Sequence, residues 1–140
     1  MPKQPLKALV LLFLWGSLVE DGAIFLLAWV APGLWFQLFH HADPAGLDVA
    51  LLRRAGGQWA AFAAVQAITL RRWEVRPLWL IVVLGARASD LLTDISYLLA
   101  VPALTRLGWM ALLPPPFLNA IFIVVMALAY RQRTAAPSQC

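Results

Sequence analysis

Residues 6–30 read LKALVLLFLWGSLVEDGAIFLLAWV, and this stretch decides the class of fold. At 1.5 Å per residue, a helix of this length exceeds the roughly 30 Å hydrocarbon thickness of a lipid bilayer. Apart from Lys7 close to its start, its charged residues are the adjacent acids Glu20 and Asp21 near the middle. The stretch therefore predicts a membrane-spanning helix that carries two ionisable groups at mid-depth.

The start of the chain also resembles a signal peptide, because basic residues precede an apolar core at residues 8–19. A cleaved signal peptide would end in a small-residue cleavage site, and none follows here. Apolar sequence instead resumes at residue 23 and continues to Pro32-Gly33, which is expected to end the helix. We therefore expect this segment to remain in the protein.

The composition of the whole chain favours lipid as its solvent. Hydrophobic residues make up 62% of the 140 residues and charged residues 13%, against about 45–50% and about 25% in soluble domains. A soluble protein of this size would have too few polar groups to cover that much apolar surface. The net charge of +4 does not indicate nucleic-acid binding, because the basic residues lie at the ends of apolar runs and the seven Trp suit a membrane interface.

Apolar stretches and prolines together predict four membrane spans, at about residues 6–30, 55–72, 77–101 and 114–131. Proline is tolerated in the first turn of a helix but not in its interior, so Pro77 and the prolines at 114–116 are expected at helix starts. The predicted fold is an all-α, four-helix integral membrane bundle. We expect one domain over residues 1–134, followed by a flexible tail at 135–140.

The segment between the first two spans has two interpretations. Asp43 is expected to cap a helix whose first residue is Pro44 and which runs to about Arg54. This helix either lies on the membrane surface or leads into the second span, with Gly56-Gly57 marking the joint. The sequence leaves this choice open.

The distribution of basic residues predicts the orientation. Four spans place the N-terminus, the loop between the second and third spans and the C-terminus on one side of the membrane. That side holds seven basic residues, Lys3, Lys7, Arg71, Arg72, Arg76, Arg131 and Arg133, and the other side holds Arg53, Arg54 and Arg106. By the positive-inside rule both termini are cytoplasmic, and we expect a multi-pass protein of a bacterial inner membrane.

The residues that could carry chemistry are concentrated in the third span. Arg87, Asp90, Asp94 and Tyr97 are spaced at i, i+3, i+7 and i+10, which places them on one stripe of a helix. Arg87 is expected to pair with Asp90, and Asp94 with Tyr97. In the first span, Glu20 and Asp21 point about 100° apart, so only one of them is expected to face this stripe fully.

Ionisable groups at the centre of a bilayer cost a few kcal/mol each and therefore face a bundle interior or a water-filled cavity. If all were ionised, the four carboxylates against Arg87 would leave a net charge of −3. Either some carboxylates hold a proton, or a cation or water lies among them. Gln66 and Asn119 could complete the polar pocket. The alternative is that all these groups serve only as hydrogen bonds and ion pairs between helices.

No metal or cofactor is expected. His40 and His41 are adjacent, so they do not share a helix face as the i, i+4 pair of a helical metal site does, and we expect a surface histidine pair. The single cysteine, Cys140, excludes an internal disulfide and a cysteine-based metal site. The chain lacks a Gly-rich phosphate loop, H-E-x-x-H and G-x-S-x-G. An enzyme is therefore not the favoured hypothesis, although the carboxylates leave a lipid- or isoprenoid-modifying enzyme as an alternative.

The general plan resembles the small four-helix membrane proteins of the DoxX-like kind. The shared features are the length, the four spans, the pattern Arg53-x-x-Gly56 at the start of the second span, and an arginine with an acidic residue in the third (Arg87, Asp90). The double acid of the first span and the triple proline before the fourth depart from that pattern. The resemblance implies a four-helix membrane fold, and some members of that group are linked to quinone-associated redox complexes.

The leading hypothesis is a small membrane module whose buried ionisable site binds a small ligand or handles protons or cations, as in transport. One four-helix subunit has a narrow lumen, so this role favours a homo-oligomer in the lipid bilayer. The alternative is a non-catalytic accessory subunit. In that case exposed Trp and Phe side chains pack on partner membrane subunits, and the charges only fix the register of the helices.

Overall fold

A computed structural model describes residues 4–101 and 103–135 of the chain, and this part is helical, with no strand. The helices are α1 (Gln4–Val30), α2 (Pro32–His40), α3 (Gly46–Arg72), α4 (Leu78–Ala100), α5 (Arg106–Leu112) and α6 (Pro114–Thr134). The predicted all-α class is therefore confirmed. The predicted tail at 135–140 lies, except for Ala135, outside the described residues.

Prolines set several helix boundaries as predicted. α1 ends at Val30, and Pro32 occupies the first turn of α2. The prolines at 114–116 form the first turn of α6, where their missing N–H groups would have no partner within the helix in any case. α2 and α5 were not predicted as separate helices.

The start of α3 corrects the predicted helix boundary. Ala45, not Asp43, is the N-cap, and the helix begins at Gly46 rather than at Pro44. Asp48 explains the difference, because its Oδ2 atom accepts a hydrogen bond of 2.9 Å from the Ala45 backbone N–H. α3 then runs unbroken to Arg72, so residues 46–54 belong to the helix of the predicted second span.

Gly56 does not mark a joint between two helices. It lies in the interior of α3, where a Cβ atom would come within 2.7 Å of Cδ1 of Trp29 on α1. The missing side chain lets α1 and α3 approach closely. The Trp29 indole also donates a hydrogen bond of 3.1 Å to the Arg53 carbonyl oxygen, which fixes the ring against α3.

The four long helices α1, α3, α4 and α6 pack around a common core. α1 packs on α3 and α6, and α4 packs on the same two helices. Val10 near the start of α1 and Met126 in the second half of α6 belong to one buried cluster. We call this end of the molecule the terminal end, and the opposite end, where α2 and α5 lie, the capped end.

The core changes character along its length. A large apolar cluster fills the terminal end, and a smaller one, formed by Ala28, Trp35 and Leu52, lies near the capped end. Between them lie the buried polar and charged side chains Asp21, Gln66, Arg87, Asp90 and Asn119, with the buried ring of Phe62 beside Arg87. The large cluster comprises Val10, Leu14, Trp73, Leu80, Val83, Phe122, Val125, Met126 and Ala129.

α2 and α5 are tied together at the capped end. Thr105, the N-cap of α5, donates its hydroxyl to the Leu38 carbonyl oxygen at 2.6 Å and its backbone N–H to the Phe39 carbonyl oxygen at 2.9 Å. The same hydroxyl accepts from the Gly108 N–H at 2.8 Å. A Cβ atom on Gly108 would lie 2.6 Å from the Phe39 carbonyl oxygen, so this contact requires glycine.

Ion pairs join three segments at the terminal end. Glu74, between α3 and α4, pairs with Lys7 of α1 at 2.5 Å and with Arg133 of α6 at 3.7 Å. The Arg133 guanidinium lies 5.0 Å from the ring centroid of Trp73. The hydrogen bond from Lys7 lowers the pKa of the Glu74 carboxyl below its ordinary value. Since Glu74 is exposed, these pairs contribute little to stability.

Two stretches of the described residues are long and apolar enough to cross a membrane. They are Gln4–Val30 and Arg106–Thr134, the second comprising α5 and α6. Only 22% and 28% of their most apolar windows are buried inside the protein, whereas the core helix of a soluble protein would be mostly buried. α3 and α4 do not meet the same criterion, and they carry polar side chains of the core such as Gln66, Arg87 and Asp90.

Candidate functional site

Arg87, in the middle of α4, links two helices through charged hydrogen bonds. Its Nη2 atom donates to Oδ2 of Asp21 on α1, and its Nη1 atom donates to Oδ2 of Asp90 at 2.8 Å. Arg87 is 2% exposed and Asp21 is 1% exposed. Removing ionised groups from water is costly unless they are paired and hydrogen-bonded, and both aspartates provide such pairing. The predicted Arg87–Asp90 pair is confirmed.

Amide side chains from the other two long helices complete the arrangement. Asn119 of α6 donates to Oδ2 of Asp90 at 3.1 Å and to Oδ2 of Asp94 at 3.0 Å, and its Oδ1 accepts from Arg87. Gln66 of α3 donates to Oδ2 of Asp21 at 2.8 Å. We call the set Asp21, Gln66, Arg87, Asp90, Asp94 and Asn119 the central polar network. It joins α1, α3, α4 and α6 through hydrogen bonds.

Two phenylalanine rings flank the guanidinium of Arg87. The Cζ atom of Arg87 lies 5.6 Å from the ring centroid of Phe62 and 5.7 Å from that of Phe122. These distances allow cation–π attraction, which is strongest where water is excluded. The rings therefore hold the guanidinium plane in place between α3 and α6.

Within the described residues, the network leaves two buried polar atoms without a hydrogen-bond partner. They are Nε of Arg87, a donor, and Oε1 of Gln66, an acceptor. Most buried polar groups in proteins are satisfied by protein or by water. These two atoms are therefore places where water or a bound molecule would find a partner.

A cavity of about 1140 Å³ adjoins the central polar network. Its lining extends from Phe13 and Phe122, which border the apolar cluster of the terminal end, to Trp35 and His40 of α2. Exposed residues such as Leu12 also line it, so the cavity is open to the surroundings rather than sealed. The volume is slightly above the about 300–1,000 Å³ that is usual for pockets that hold organic ligands.

Acidic side chains dominate the charge of this cavity. Of the seven Asp and Glu residues in the chain, all but Glu74 line it, namely Glu20, Asp21, Asp43, Asp48, Asp90 and Asp94. Among the described residues, Arg87 is the only Lys or Arg that lines it. Since Arg87 is already bonded to Asp21 and Asp90, the remaining carboxylates of the wall have no cation beside them in the described part of the chain.

The structure distinguishes between the two adjacent acids of α1. Asp21 is buried in the central polar network, whereas Glu20 is exposed, lines the cavity and makes no hydrogen bond or ion pair with any described residue. Only one of the two acids was predicted to face Arg87, Asp90, Asp94 and Tyr97 of α4 fully, and in the structure this residue is Asp21. The Glu20 side chain lines the same cavity as Asp21.

Tyr97 has a partner that the sequence did not predict. Its hydroxyl is bonded to Nε2 of His40 at 2.7 Å and does not pair with Asp94. Nδ1 of His40 lies 3.3 Å from the Ala103 carbonyl oxygen. Of the predicted histidine pair, His40 is half-buried and lines the cavity, while His41 is exposed. α2 packs on α1, α3 and α5, and in this position its last residue, His40, reaches Tyr97 of α4.

The four residues predicted to share one face of α4 all face the cavity. Arg87, Asp90, Asp94 and Tyr97 all line the cavity, as does Asn119 of α6. Gln66 lies behind Asp21 and does not itself line the cavity. Within residues 4–101 and 103–135, no three His, Cys, Asp or Glu side chains are grouped so that they could hold a metal ion. The arrangement is suited to binding positive charge or protons through carboxylates.

Comparison of the chain with protein-family models, with curated proteins and with solved structures gave no match. The resemblance to DoxX-like proteins therefore stays a prediction.

Proposed function

We propose that the chain is a four-span membrane module of transport type, in which carboxylates on the wall of the central cavity take up and release protons or cations. In this proposal α1, α3, α4 and α6 each cross the bilayer. Both termini are cytoplasmic, in agreement with the distribution of basic residues.

The exposed surface supports the membrane assignment. α4 buries Arg87 and Asp90 but exposes Leu92, which is 67% exposed, and Leu99, which is 83% exposed. α3 likewise buries Gln66 and exposes Ile68. A helix that is polar inside and apolar outside is the opposite of a soluble amphipathic helix, and it fits a bundle whose outer surface meets lipid. This argument extends the membrane assignment from α1 and α6 to α3 and α4.

One observation carries the functional part of the proposal. Glu20 and Asp94 line an open cavity beside an arginine that is already neutralised by Asp21 and Asp90. A purely structural network would have no need of two further carboxylates at mid-depth, because each costs free energy there. Their presence is explained if they bind a proton or another cation that enters through the cavity.

A flux assay tests the proposal. The purified full chain is reconstituted into liposomes that contain a pH-sensitive dye, and internal pH is followed after an ion or pH gradient is imposed. We expect flux with the wild type and its loss in Glu20→Gln and Asp94→Asn, since both variants keep the shape of the side chain but remove its charge. Glu74→Gln is the matched control, because it removes the acidic residue that lies outside the cavity. Unchanged flux in both cavity variants would overturn the proposal.

A second candidate function is a non-catalytic accessory subunit of a larger membrane complex. The observation in its favour is that Arg87 is bonded to side chains of α1, α4 and α6, as expected of a group that fixes helix register. Native mass spectrometry in mild detergent distinguishes the two. A stoichiometric partner chain favours the accessory subunit, and a homo-oligomer favours transport.

A further inference from the structure

The charged residues that line the cavity indicate the charge of its ligand. Six carboxylates and one guanidinium line the cavity, which gives a formal charge of −5 if all are ionised and His40 is neutral. A cleft lined by one sign of charge raises the local concentration of the opposite sign and repels the same sign. Asp43 and Asp48 extend this field to the capped end. The lining therefore favours a cationic ligand over an anionic one.

The size and geometry of the cavity argue against an inorganic metal ion. Such an ion requires several oxygen ligands within about 2.0–2.6 Å, and the described residues contain no group of three or more side chains placed for this. A cavity of about 1140 Å³ is far larger than a metal ion needs. The space fits an organic molecule.

Aromatic side chains form the wall near the capped end. The rings of Trp35 and Trp59 are tilted against each other with centroids 5.4 Å apart, and both line the cavity together with Phe36. Aromatic faces bind the apolar body of a ligand and attract organic cations by about 0.5–2 kcal/mol each. This wall provides a binding surface for a molecule that is both cationic and apolar.

The distance between the aromatic wall and the carboxylates of Glu20 and Asp94 limits the length of the ligand. Trp59 precedes Gln66 by two helical turns of α3, a rise of about 10 Å. Gln66 marks the level of the central polar network, where Glu20 and Asp94 face the cavity. A charged head placed at these carboxylates therefore leaves about 10 Å for an apolar body beside Trp35 and Trp59.

The two buried polar atoms without a partner show where the central polar network has room for water. Arg87 lines the cavity and is 2% exposed, yet its Nε atom has no partner among the described residues. Oε1 of Gln66, directly behind Asp21, has none either. Arg87 lines the cavity and Gln66 does not, so the unpartnered Nε donor of Arg87 is the one of the two that water in the cavity could reach.

From these observations we infer that the ligand of this site is an amphipathic organic cation, with a positively charged nitrogen or phosphorus head and an aromatic or aliphatic body. The inference rests on the proposed function and adds the ligand class to it. The head lies beside Glu20 and Asp94, and the body lies against the Trp35–Trp59 wall.

Equilibrium dialysis of the detergent-purified full chain against radiolabelled tetraphenylphosphonium tests this ligand class. Labelled tetraphenylborate, which has the same four phenyl groups and the opposite charge, is measured in parallel. We expect saturable binding of the cation and none of the anion. The double variant Glu20→Gln/Asp94→Asn is expected to weaken binding of the cation by about tenfold or more, because two opposite charges beside the head are lost.

Two further variants separate the charge from the aromatic wall. Trp59→Leu keeps the carboxylates but removes an aromatic face, so we expect binding to weaken several-fold. Glu74→Gln changes the net charge in the same direction but lies outside the cavity, and binding is expected to equal that of the wild type. No saturable binding of the cation, equal binding of the anion, or unchanged binding in the double variant would each overturn the inference.

The flux assay and the binding assay test the two proposals separately, so either proposal can be refuted without the other. Proton flux that depends on Asp94, without saturable binding of tetraphenylphosphonium, would refute the ligand class and leave the proposed transport of protons standing. Saturable binding that depends on Glu20 and Asp94, without any flux, would refute transport and leave the ligand class standing.

Discussion

Asp21 of α1 and Arg87 of α4 form an ion pair at the centre of the helix core, where their side chains are 2% and 3% exposed. Gln66 donates a hydrogen bond to the same carboxylate oxygen, and Asp90 accepts from the same guanidinium. The pair therefore connects helices that are far apart in sequence and lies next to the cavity on which the proposed function depends.

Loss of one member of this pair is expected to be far more damaging than loss of both. Arg87→Met leaves the Asp21 and Asp90 carboxylates buried without a cation, which should lower the free energy of unfolding by about 3–5 kcal/mol. The double variant Asp21→Asn/Arg87→Met removes one of the stranded charges and should recover part of the loss. Thermal unfolding in detergent measures both. A double variant that is less stable than Arg87→Met would contradict the expectation.

The close contact between α1 and α3 gives a prediction with a control from the next residue. Gly56→Ala places a Cβ atom within 2.7 Å of the Trp29 ring, so the ring or the helices must shift. We expect a loss of about 1–3 kcal/mol in the free energy of unfolding. At Gly57 an added Cβ meets nothing within 4 Å, so Gly57→Ala should be neutral or stabilising by about 0.5–1 kcal/mol, because alanine favours the helix. Equal melting temperatures for the two variants would show that the contact is not tight.

The helices were predictable from sequence because their boundaries depend on local chemistry. The prolines at 114–116 begin α6 as expected, and α4 ends at Ala100, one residue from the prediction. The start of α3 was wrong because Asp43-Pro44 is a strong local signal, while the hydrogen bond from Ala45 to Asp48 that prevails is visible only in three dimensions. Gly56 was misread for a related reason, since its role depends on a tryptophan of another helix.

The candidate site was predictable as a set of residues but not as a set of contacts. The i, i+3, i+7 spacing places Arg87, Asp90 and Asp94 on one face, and they do line one cavity. The rotation of α1 about its axis decides that Asp21 rather than Glu20 meets Arg87, and tertiary packing sets this rotation. The contact of His40 with Tyr97 was not predictable, because it depends on how α2 packs on α1, α3 and α5.

The ion cluster at the terminal end predicts a small dependence of stability on pH. The hydrogen bond from Lys7 lowers the pKa of Glu74 in the folded state. A group with a lowered folded pKa stabilises the fold above its unfolded pKa and loses this contribution as pH falls through the folded value. The contribution is therefore present above about pH 4.5, the ordinary value for the group, and lost below it.

Glu74→Gln should abolish this part of the pH dependence. We expect the variant to melt slightly below the wild type at neutral pH, and the difference to shrink as pH is lowered below about 4. Lys7→Gln should produce a similar pattern, because it removes the donor that lowers the pKa. The measurement is the melting temperature of the three proteins in detergent as a function of pH. A difference between wild type and Glu74→Gln that grows on acidification would refute this assignment.

The four-span proposal differs most clearly from a two-span arrangement at the loop between α3 and α4. If α3 and α4 cross the bilayer, Val75 lies on the cytoplasmic side, and if only α1 and α6 cross it, Val75 lies on the same side as His41. Both residues are exposed, Val75 by 81%, so cysteines placed there should react with a maleimide. Cys140 is the single native cysteine, and Cys140→Ser gives a silent background.

We expect His41→Cys in this background to react with a membrane-impermeant maleimide in right-side-out spheroplasts, and Val75→Cys to react only after permeabilisation. The reason is that Arg71, Arg72 and Arg76 flank position 75, and arginines near a span are retained in the cytoplasm. Native Cys140, measured in the wild type, should behave like Val75→Cys. Labelling of both introduced cysteines in intact spheroplasts would mean that α3 and α4 do not cross the membrane. Asp90 and Asp94 of α4 would then lie outside the bilayer, and the argument that mid-depth charges imply function would no longer apply to these two residues.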